Sequence, residues 1–329
     1  MADLLKQINL KKPVVNRKLI AWAFVITGAL SVGMWWRGRG GGEKKKEETL
    51  VAGWSLGELW GPLKISYGVE GNGVRGDRTA GETVAKIKDK LAGTKGEYSF
   101  LVSRLGDKTG YGWNEDKVMP AASIMKVPIM AAVFTAVEEG RMKLEDTYVL
   151  KEGDKQSGSG PIEFMKAGTG LTVRQMLEEM GKKSDNSAPI ILVRMVGKAK
   201  AVAALAALGM KDSDFEKNTT TAYDVATMWK RLYEGEVVKK QENREMMWEF
   251  LQGSIYEDRI AAGVPAGTKV VHKVGSGEGV WADAGIVYAD KPFVVVILNE
   301  GVKMEEAQKL VPEMTRIIWE DEAGNGKKE

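Results

Sequence analysis

Cysteine is absent from the 329-residue chain, and histidine occurs once, at His272. The first absence removes disulfides, thiol catalysis and thiolate metal sites together. The second rules out multi-histidine metal centres and obliges any Ser-His-Asp scheme to use His272. No carboxylate cluster has the spacing of a calcium loop, so neither a metal nor another cofactor is expected. Charge of one sign is also missing. The 48 Lys and Arg stand against 45 Asp and Glu, a net +3, which offers nucleic acid no general attraction. An enzyme built from this chain therefore takes a lysine or a carboxylate as its base. The rest is ordinary for a globular protein: 43% hydrophobic residues, enough for one large domain or two medium ones.

The one long apolar run is residues 19–36 (LIAWAFVITGALSVGMWW), which carry no charge. As a helix they span roughly 27 Å at about 1.5 Å per residue, close to a bilayer core. Trp35 and Trp36 stand where interfacial aromatics belong, with charges beyond both ends. The run reads as a single-pass anchor in the cell membrane, with residues 1–18 cytoplasmic and the catalytic domain extracytoplasmic. A signal peptide cut near Ala29-Leu-Ser31 is the rival, but the apolar run continues past that point. A buried soluble helix is the third reading. Basic residues on both sides of the run leave its direction to be set by the substrates. Residues 37–81 are glycine-rich and then charged, a linker broken by an apolar patch of Trp54, Leu56, Leu59, Trp60 and Leu63.

A domain over residues 82–322 follows, then a charged tail, 323–329. A helix is expected over 82–91. Residues 98–103 alternate and favour a strand, with a turn at 106–110 and a return strand at 111–113. A long helix runs over 123–140, stopped by Gly140, and further helices over 171–181, 189–197, 199–208 and 222–234. β-Branched strands occupy 269–273, 285–288 and 293–298, and an amphipathic helix 304–319. Strands at both ends with helices between them predict an α+β fold: an antiparallel β-sheet built from the N- and C-terminal parts, flanked by helices, with an inserted all-α subdomain.

Three short stretches carry chemistry. In Ser123-Ile-Met-Lys126 the hydroxyl and the amine share a helix face, so Lys126 can reach Ser123, and a buried amine of lowered pKa can take its proton. The helix N-terminus adds a favourable dipole. Pro128 predicts a tight or kinked first turn. In Ser184-Asp-Asn186, Ser184 can relay a proton and Asn186 can bond a substrate amide; a simple capped turn is the alternative. In Lys273-Val-Gly275, Lys273 suits an anionic carboxylate, and Gly275 lets a ligand approach the backbone. His272 points away from Lys273 on an alternating strand, as a structural or edge residue.

In this order the three stretches resemble the penicillin-recognising serine enzymes. Met119-Pro-Ala-Ala-Ser-Ile-Met-Lys-Val-Pro128, Gly158-Ser-Gly160, Leu177-Glu-Glu-Met180 and Trp281-Ala-Asp-Ala-Gly285 look like class A β-lactamases in particular. The resemblance covers about residues 85–320 and implies a β-lactamase/transpeptidase-like fold. It implies that Ser123 is the nucleophile, Lys126 its activator and Ser184 the proton shuttle. Asn186 and Lys273 would hold the substrate, with an oxyanion hole from the backbone N–H groups of Ser123 and Ser276.

Two departures matter. Val274 replaces the hydroxyl residue usual in the middle of the third stretch, and Ser276 is its partial substitute. The region between Gly209 and Ala222 is short, whereas class A β-lactamases carry there a glutamate that activates the deacylating water. Glu216, with Asn218 nearby, is the best candidate base, against the reading of a surface carboxylate on a turn. Acylation of Ser123 is thus better supported than hydrolysis of the ester. The expected function is a membrane-anchored, class A β-lactamase-like serine hydrolase acting on a β-lactam amide, with slow deacylation. The alternatives are a D-Ala-D-Ala peptidase acting on peptidoglycan stem peptides and a non-catalytic binding or scaffold domain.

Overall fold

The computed structural model describes residues 81–106 and 110–324. The expected segments 1–18 and 19–36, most of the linker and the end of the tail lie outside those residues. Among the described residues no helix is long and apolar enough to cross a membrane.

Helix α1 (Gly81–Leu91) leads into strands β1 (Glu97–Arg104), β2 (Tyr111–Trp113) and the short β3 (Met119–Pro120). A 3-10 turn, Ala122–Met125, runs into α2 (Lys126–Glu138). The helical part continues through β4 (Thr147–Val149), β5 (Gly170–Thr172), α3 (Val173–Lys182), α4 (Ser187–Val196), α5 (Lys198–Ala207), β6 (Thr219–Thr220), α6 (Ala222–Glu234) and α7 (Gln241–Leu251). The chain then returns to the sheet with β7 (Val270–Gly277), β8 (Val280–Val287) and β9 (Phe293–Glu300), and ends in α8 (Met304–Gly324). The main sheet has the order β2-β1-β9-β8-β7, antiparallel throughout. N- and C-terminal strands therefore share one sheet with the helices inserted between them, as the sequence predicts.

Strand β9 lies in the middle and is apolar at almost every position because both faces are covered. Phe293, Val295 and Ile297 pack with Ile87, Leu91, Met314 and Ile318 of α1 and α8. The alternating set Val294, Val296 and Leu298 packs with the helical part, including Val225 and Trp229 of α6. At about 1.5–3 kcal/mol per buried large apolar side chain, these six residues tie the two layers together. β7 forms one edge of the sheet and faces the 3-10 turn Ala122–Met125, which sets the position of the site.

Several boundaries differ from expectation for local reasons. The expected helix 123–140 starts at Lys126, so Pro128 falls in the first turn, where no N–H needs a partner, and a 3-10 turn precedes it. Helix α3 begins two residues late because Thr172 caps it: its Oγ1 accepts from Gln175 N at 3.1 Å, and Gln175 Oε1 accepts from Thr172 N at 2.9 Å. Leu171 goes to strand β5. Strand β8 starts five residues before the expected 285–288, taking in Trp281-Ala-Asp-Ala284. Helix α7, which the sequence reading missed, carries its apolar side chains only in its second half, at Met246, Met247, Trp248, Phe250 and Leu251.

Candidate active site

Ser123 sits on the 3-10 turn, directly after Ala122, whose φ of 46° is left-handed. An L-residue held there stores about 1–3 kcal/mol of strain. Two contacts hold the turn. Ala121 N donates to Asn218 O at 2.8 Å, and β7 lies so close that a Cβ on Gly275 would come 2.9 Å from Ala121 O and 3.3 Å from the Ala122 Cβ. Gly275 thus makes room for the turn that bears Ser123.

Behind Ser123 two lysines meet around one hydroxyl. Lys126 Nζ donates to Ser184 Oγ at 3.1 Å, to Asn186 Oδ1 at 2.7 Å and to the Ser184 carbonyl. Lys273 Nζ donates to the same Ser184 Oγ at 3.0 Å and to Val274 O at 3.3 Å. All three side chains are buried: Lys126 and Ser184 are 4% exposed and Lys273 2%. The Ser123 hydroxyl is half-buried and has no hydrogen bond to Lys126, nor to any other described residue. The expected Ser123–Lys126 contact is therefore open; such contacts tighten when a substrate is seated.

Ser184 lies between α3 and α4 with φ 55°. Asp185 fixes this kink: its carboxylate accepts from Ile162 N at 2.9 Å, and from Ser187 N and Ala188 N at 2.8 Å each. Asn186 Nδ2 donates to Ser157 O at 2.9 Å, which leaves its second amide hydrogen for a substrate carbonyl.

Electrostatics follow from burial. Burial holds the Lys126 amine well below the usual lysine range, and the Lys273 charge pushes the same way, against Asp185. Burial brings Lys273 down to about 7, with Asp283 opposing and Arg259 assisting. A buried amine near its unprotonated state, linked through a hydroxyl to a second amine, can accept one proton and deliver another.

Against the far end of β7 lies a residue that sequence reasoning missed, from the segment that precedes the strand. Arg259 is fully buried; its Nη1 donates to Gly275 O at 2.8 Å and Ala282 O at 2.6 Å, and its Nη2 to Ser276 Oγ at 2.6 Å. Its guanidinium lies 3.6 Å from the centre of the Trp281 ring. The hydroxyl that Val274 cannot supply has its counterpart in this Ser276–Arg259 pair. No spacing rule flags an isolated arginine fourteen residues before Lys273.

Glu216 is not brought to the cluster. Its carboxylate pairs with Lys198 of α5, at 4.0 Å, and its backbone N donates to Asp214 Oδ1 at 2.8 Å in a tight turn closed by the Asp214–Thr219 bridge. His272 lies on the other face of β7, buried, with Nδ1 at 2.8 Å from Asp283 Oδ2.

Known proteins share this architecture. The family model described as "Beta-lactamase enzyme family" matches residues 82–321. Beta-lactamase VEB-1 of Pseudomonas aeruginosa is 22% identical over 263 residues, covering 71% of this chain and 88% of that protein. D-alanyl-D-alanine carboxypeptidase DacF of Bacillus subtilis (strain 168) is 26% identical over 156 residues; the match spans 43% of this chain and 40% of that protein. Among solved structures, the beta-lactamase from Sphaerobacter thermophilus DSM 20745 superposes with a TM-score of 0.69 at 28% identity, covering 73% of this chain and 97% of that one.

Proposed function

The chain belongs to the beta-lactamase enzyme family, a serine hydrolase acting on amide bonds, and from that premise we propose that it forms a covalent ester between Ser123 and a β-lactam and releases it slowly. One observation carries this reading: Ser184 Oγ lies 3.1 Å from Lys126 Nζ and 3.0 Å from Lys273 Nζ in a buried setting.

Each residue then has a step. Unprotonated Lys126 takes the Ser123 proton as Oγ bonds to the lactam carbonyl carbon. The backbone N–H groups of Ser123 and Ser276 face the oxyanion, a donor being worth about 10²–10³ in rate. The carbon–nitrogen bond breaks, and the nitrogen receives a proton that passes from Lys126 through Ser184. Lys273, Ser276 and Arg259 hold the substrate carboxylate, and Asn186 its amide carbonyl.

Hydrolysis of the ester requires an activated water. The short turn between Gly209 and Ala222 directs Glu216 toward Lys198, so deacylation lacks the carboxylate that speeds it in class A enzymes. The same turn favours a second reading, a D-Ala-D-Ala peptidase acting on peptidoglycan stem peptides with the same residues. Both substrates lie outside the cytoplasmic membrane, which suits an extracytoplasmic domain anchored by residues 19–36; the full-length chain is then expected to sediment with membranes and residues 81–329 to remain in the supernatant.

Fluorescent penicillin followed by intact-mass measurement tests the proposal. The expected result is a stoichiometric adduct with a lifetime of minutes or longer, absent in Ser123→Ala. Rapid turnover of a chromogenic cephalosporin would establish an efficient β-lactamase, and release of D-alanine from a stem pentapeptide the peptidase. Absence of any adduct would leave a binding domain.

A further inference from the structure

The face of β7 turned away from Ser184 holds a second set of buried charges. His272 Nδ1 lies 2.9 Å and 2.8 Å from the two Asp283 oxygens, and Nε2 lies 3.4 Å from Glu257 Oε1. Asp283 also accepts from Ile260 N at 3.1 Å and Ala284 N at 2.9 Å. Ile260 directly follows Arg259, whose guanidinium is bonded to Gly275 O, Ala282 O and Ser276 Oγ and whose Nε lies 3.4 Å from the exposed Asp258 Oδ1. Asp283 and Arg259 are thus buried neighbours that do not bond each other. An arginine beside a carboxylate ordinarily takes a two-pronged bond to it. Here the single Nδ1–H of the imidazole faces both carboxylate oxygens, and each oxygen also accepts one backbone N–H.

We infer that His272 is a positioning residue: as an imidazolium it engages Asp283, so that Arg259 stays turned toward Ser276 and the carboxylate of the substrate. The inference rests on the proposed docking of that carboxylate at the Lys273 end of β7. Without the imidazolium charge, Asp283 is a buried anion held only by two backbone N–H groups, and Arg259, which already feels its charge, is the cation drawn to it. The guanidinium would then turn inward and leave Ser276 alone. The groups acting on His272 are Asp283 from β8 and Glu257 from the segment before β7. Asp283 is shared with Arg259, which Asp258 also faces, and with Lys273, whose amine is on the opposite face at Ser184. Burial pushes the imidazole down, but Asp283 and Glu257 outweigh it and lift it to about 9, so it is charged at neutral pH.

The test compares a β-lactam acid with its methyl ester, which lacks the charge Arg259 would bind. Wild type, His272→Gln, Asp283→Asn and the double variant are assayed for the concentration dependence and the limiting rate of acylation. At pH 7, His272→Gln is expected to raise the KM of acylation for the acid about tenfold relative to the ester, the size of a bond to a charged group, with the limiting rate retained. The acid-to-ester KM ratio rises first near pH 7, in wild type and variants, as Lys273 loses its proton. Wild type shows a second rise as pH passes 9, and in Asp283→Asn that second rise is gone. The double variant, having no competing carboxylate, returns to within a few-fold of wild type. An unchanged ratio in folded His272→Gln, or a double variant worse than either single one, overturns the inference. Should His272→Gln fail to fold, the wild-type and Asp283→Asn pH profiles decide. If wild type forms no adduct at all, the proposed function fails instead, and a crystal structure of His272→Gln decides the positioning. An Arg259–Asp283 bond supports it, and an intact Arg259–Ser276 bond of 2.6 Å overturns it.

Discussion

One face of β7 carries Lys273 and the other His272, neighbours in sequence with inverted acid–base behaviour. Lys273 is brought down to about 7, chiefly by burial among groups that offer it a hydroxyl and a carbonyl. His272 is equally buried, yet Asp283 and Glu257 raise it to about 9. An imidazole thus holds its proton more tightly than the adjacent amine. The difference teaches what each face is for. Buried cations without anions are costly and reactive; buried cations with anions are stable and inert.

The largest expected effect breaks the reactive face alone. In Lys126→Met, acylation of Ser123 should fall by about 10²–10⁴, the usual value of a positioned base. Stability should hold or increase, because an apolar side chain replaces a desolvated amine. The rate of adduct formation by intact mass and the thermal midpoint check both halves. A parallel loss of rate and stability would mean that Lys126 is merely structural.

Asp283→Ala breaks the other face and should do the reverse. It strands the His272 imidazolium and Ile260 N, at a cost of about 3–5 kcal/mol for a buried pair deprived of one partner. Urea unfolding at pH 6 measures this, while the folded fraction should still form the adduct. Equal damage to chemistry would mean that the two faces are not separable.

A smaller effect sharpens the comparison through pH. The folded value for His272, about 9, lies above the ordinary 6.5. Its contribution is therefore complete below 6.5 and disappears as pH rises through 9. The displacement corresponds to about 3 kcal/mol. The stability difference between wild type and His272→Gln should thus be greatest near pH 6 and shrink to little by pH 10. Lys273 runs the other way: with a lowered value, its proton opposes folding below 7 and the penalty lifts between 7 and 10.5. A difference between the two proteins that is constant with pH would refute the charged-imidazole account.

The two faces were unequally legible in the sequence. Ser123, Lys126, Ser184, Asn186 and Lys273 form ordered short stretches, and the structure brings Lys126, Ser184, Asn186 and Lys273 into one hydrogen-bonded cluster beside the turn that carries Ser123. The sheet was legible at β1 and β9 because their residues are strand formers with both faces buried. Arg259, Glu257 and Asp283 were not, because their partnership arises only when the segment before β7 folds over the sheet. Strand alternation did place His272 away from Lys273, but could not supply the anions that meet it. At Gly275 the Ala121 carbonyl lies against the Cβ position, an approach that nothing in the sequence specifies.

Gly275 lies between the faces, which makes Gly275→Ala a test of how tightly β7 holds the nucleophile turn. The new methyl would meet Ala121 O at 2.9 Å and the Ala122 Cβ at 3.3 Å, so strand or turn must shift. Overpacking of this kind costs about 1–3 kcal/mol. Acylation should slow more than stability alone accounts for, because the displaced turn carries Ser123. Unchanged acylation would show that the turn is positioned by Asn218 and α2 instead.

The smallest expected effect asks how far the reactive face extends. Glu216 faces Lys198 across 4.0 Å, and its own N–H is bonded to Asp214. An exposed pair of this kind contributes at most about 1 kcal/mol. Glu216→Gln should therefore leave both the acylation rate and the lifetime of the penicillin adduct unchanged. If the adduct persisted markedly longer in the variant, the turn would have to move Glu216 toward the ester after acylation. The catalytic side of the molecule would then include a carboxylate from beyond the lysine–serine–lysine cluster. An unchanged lifetime confines the chemistry to that cluster, and slow release becomes a direct consequence of the short connection between Gly209 and Ala222.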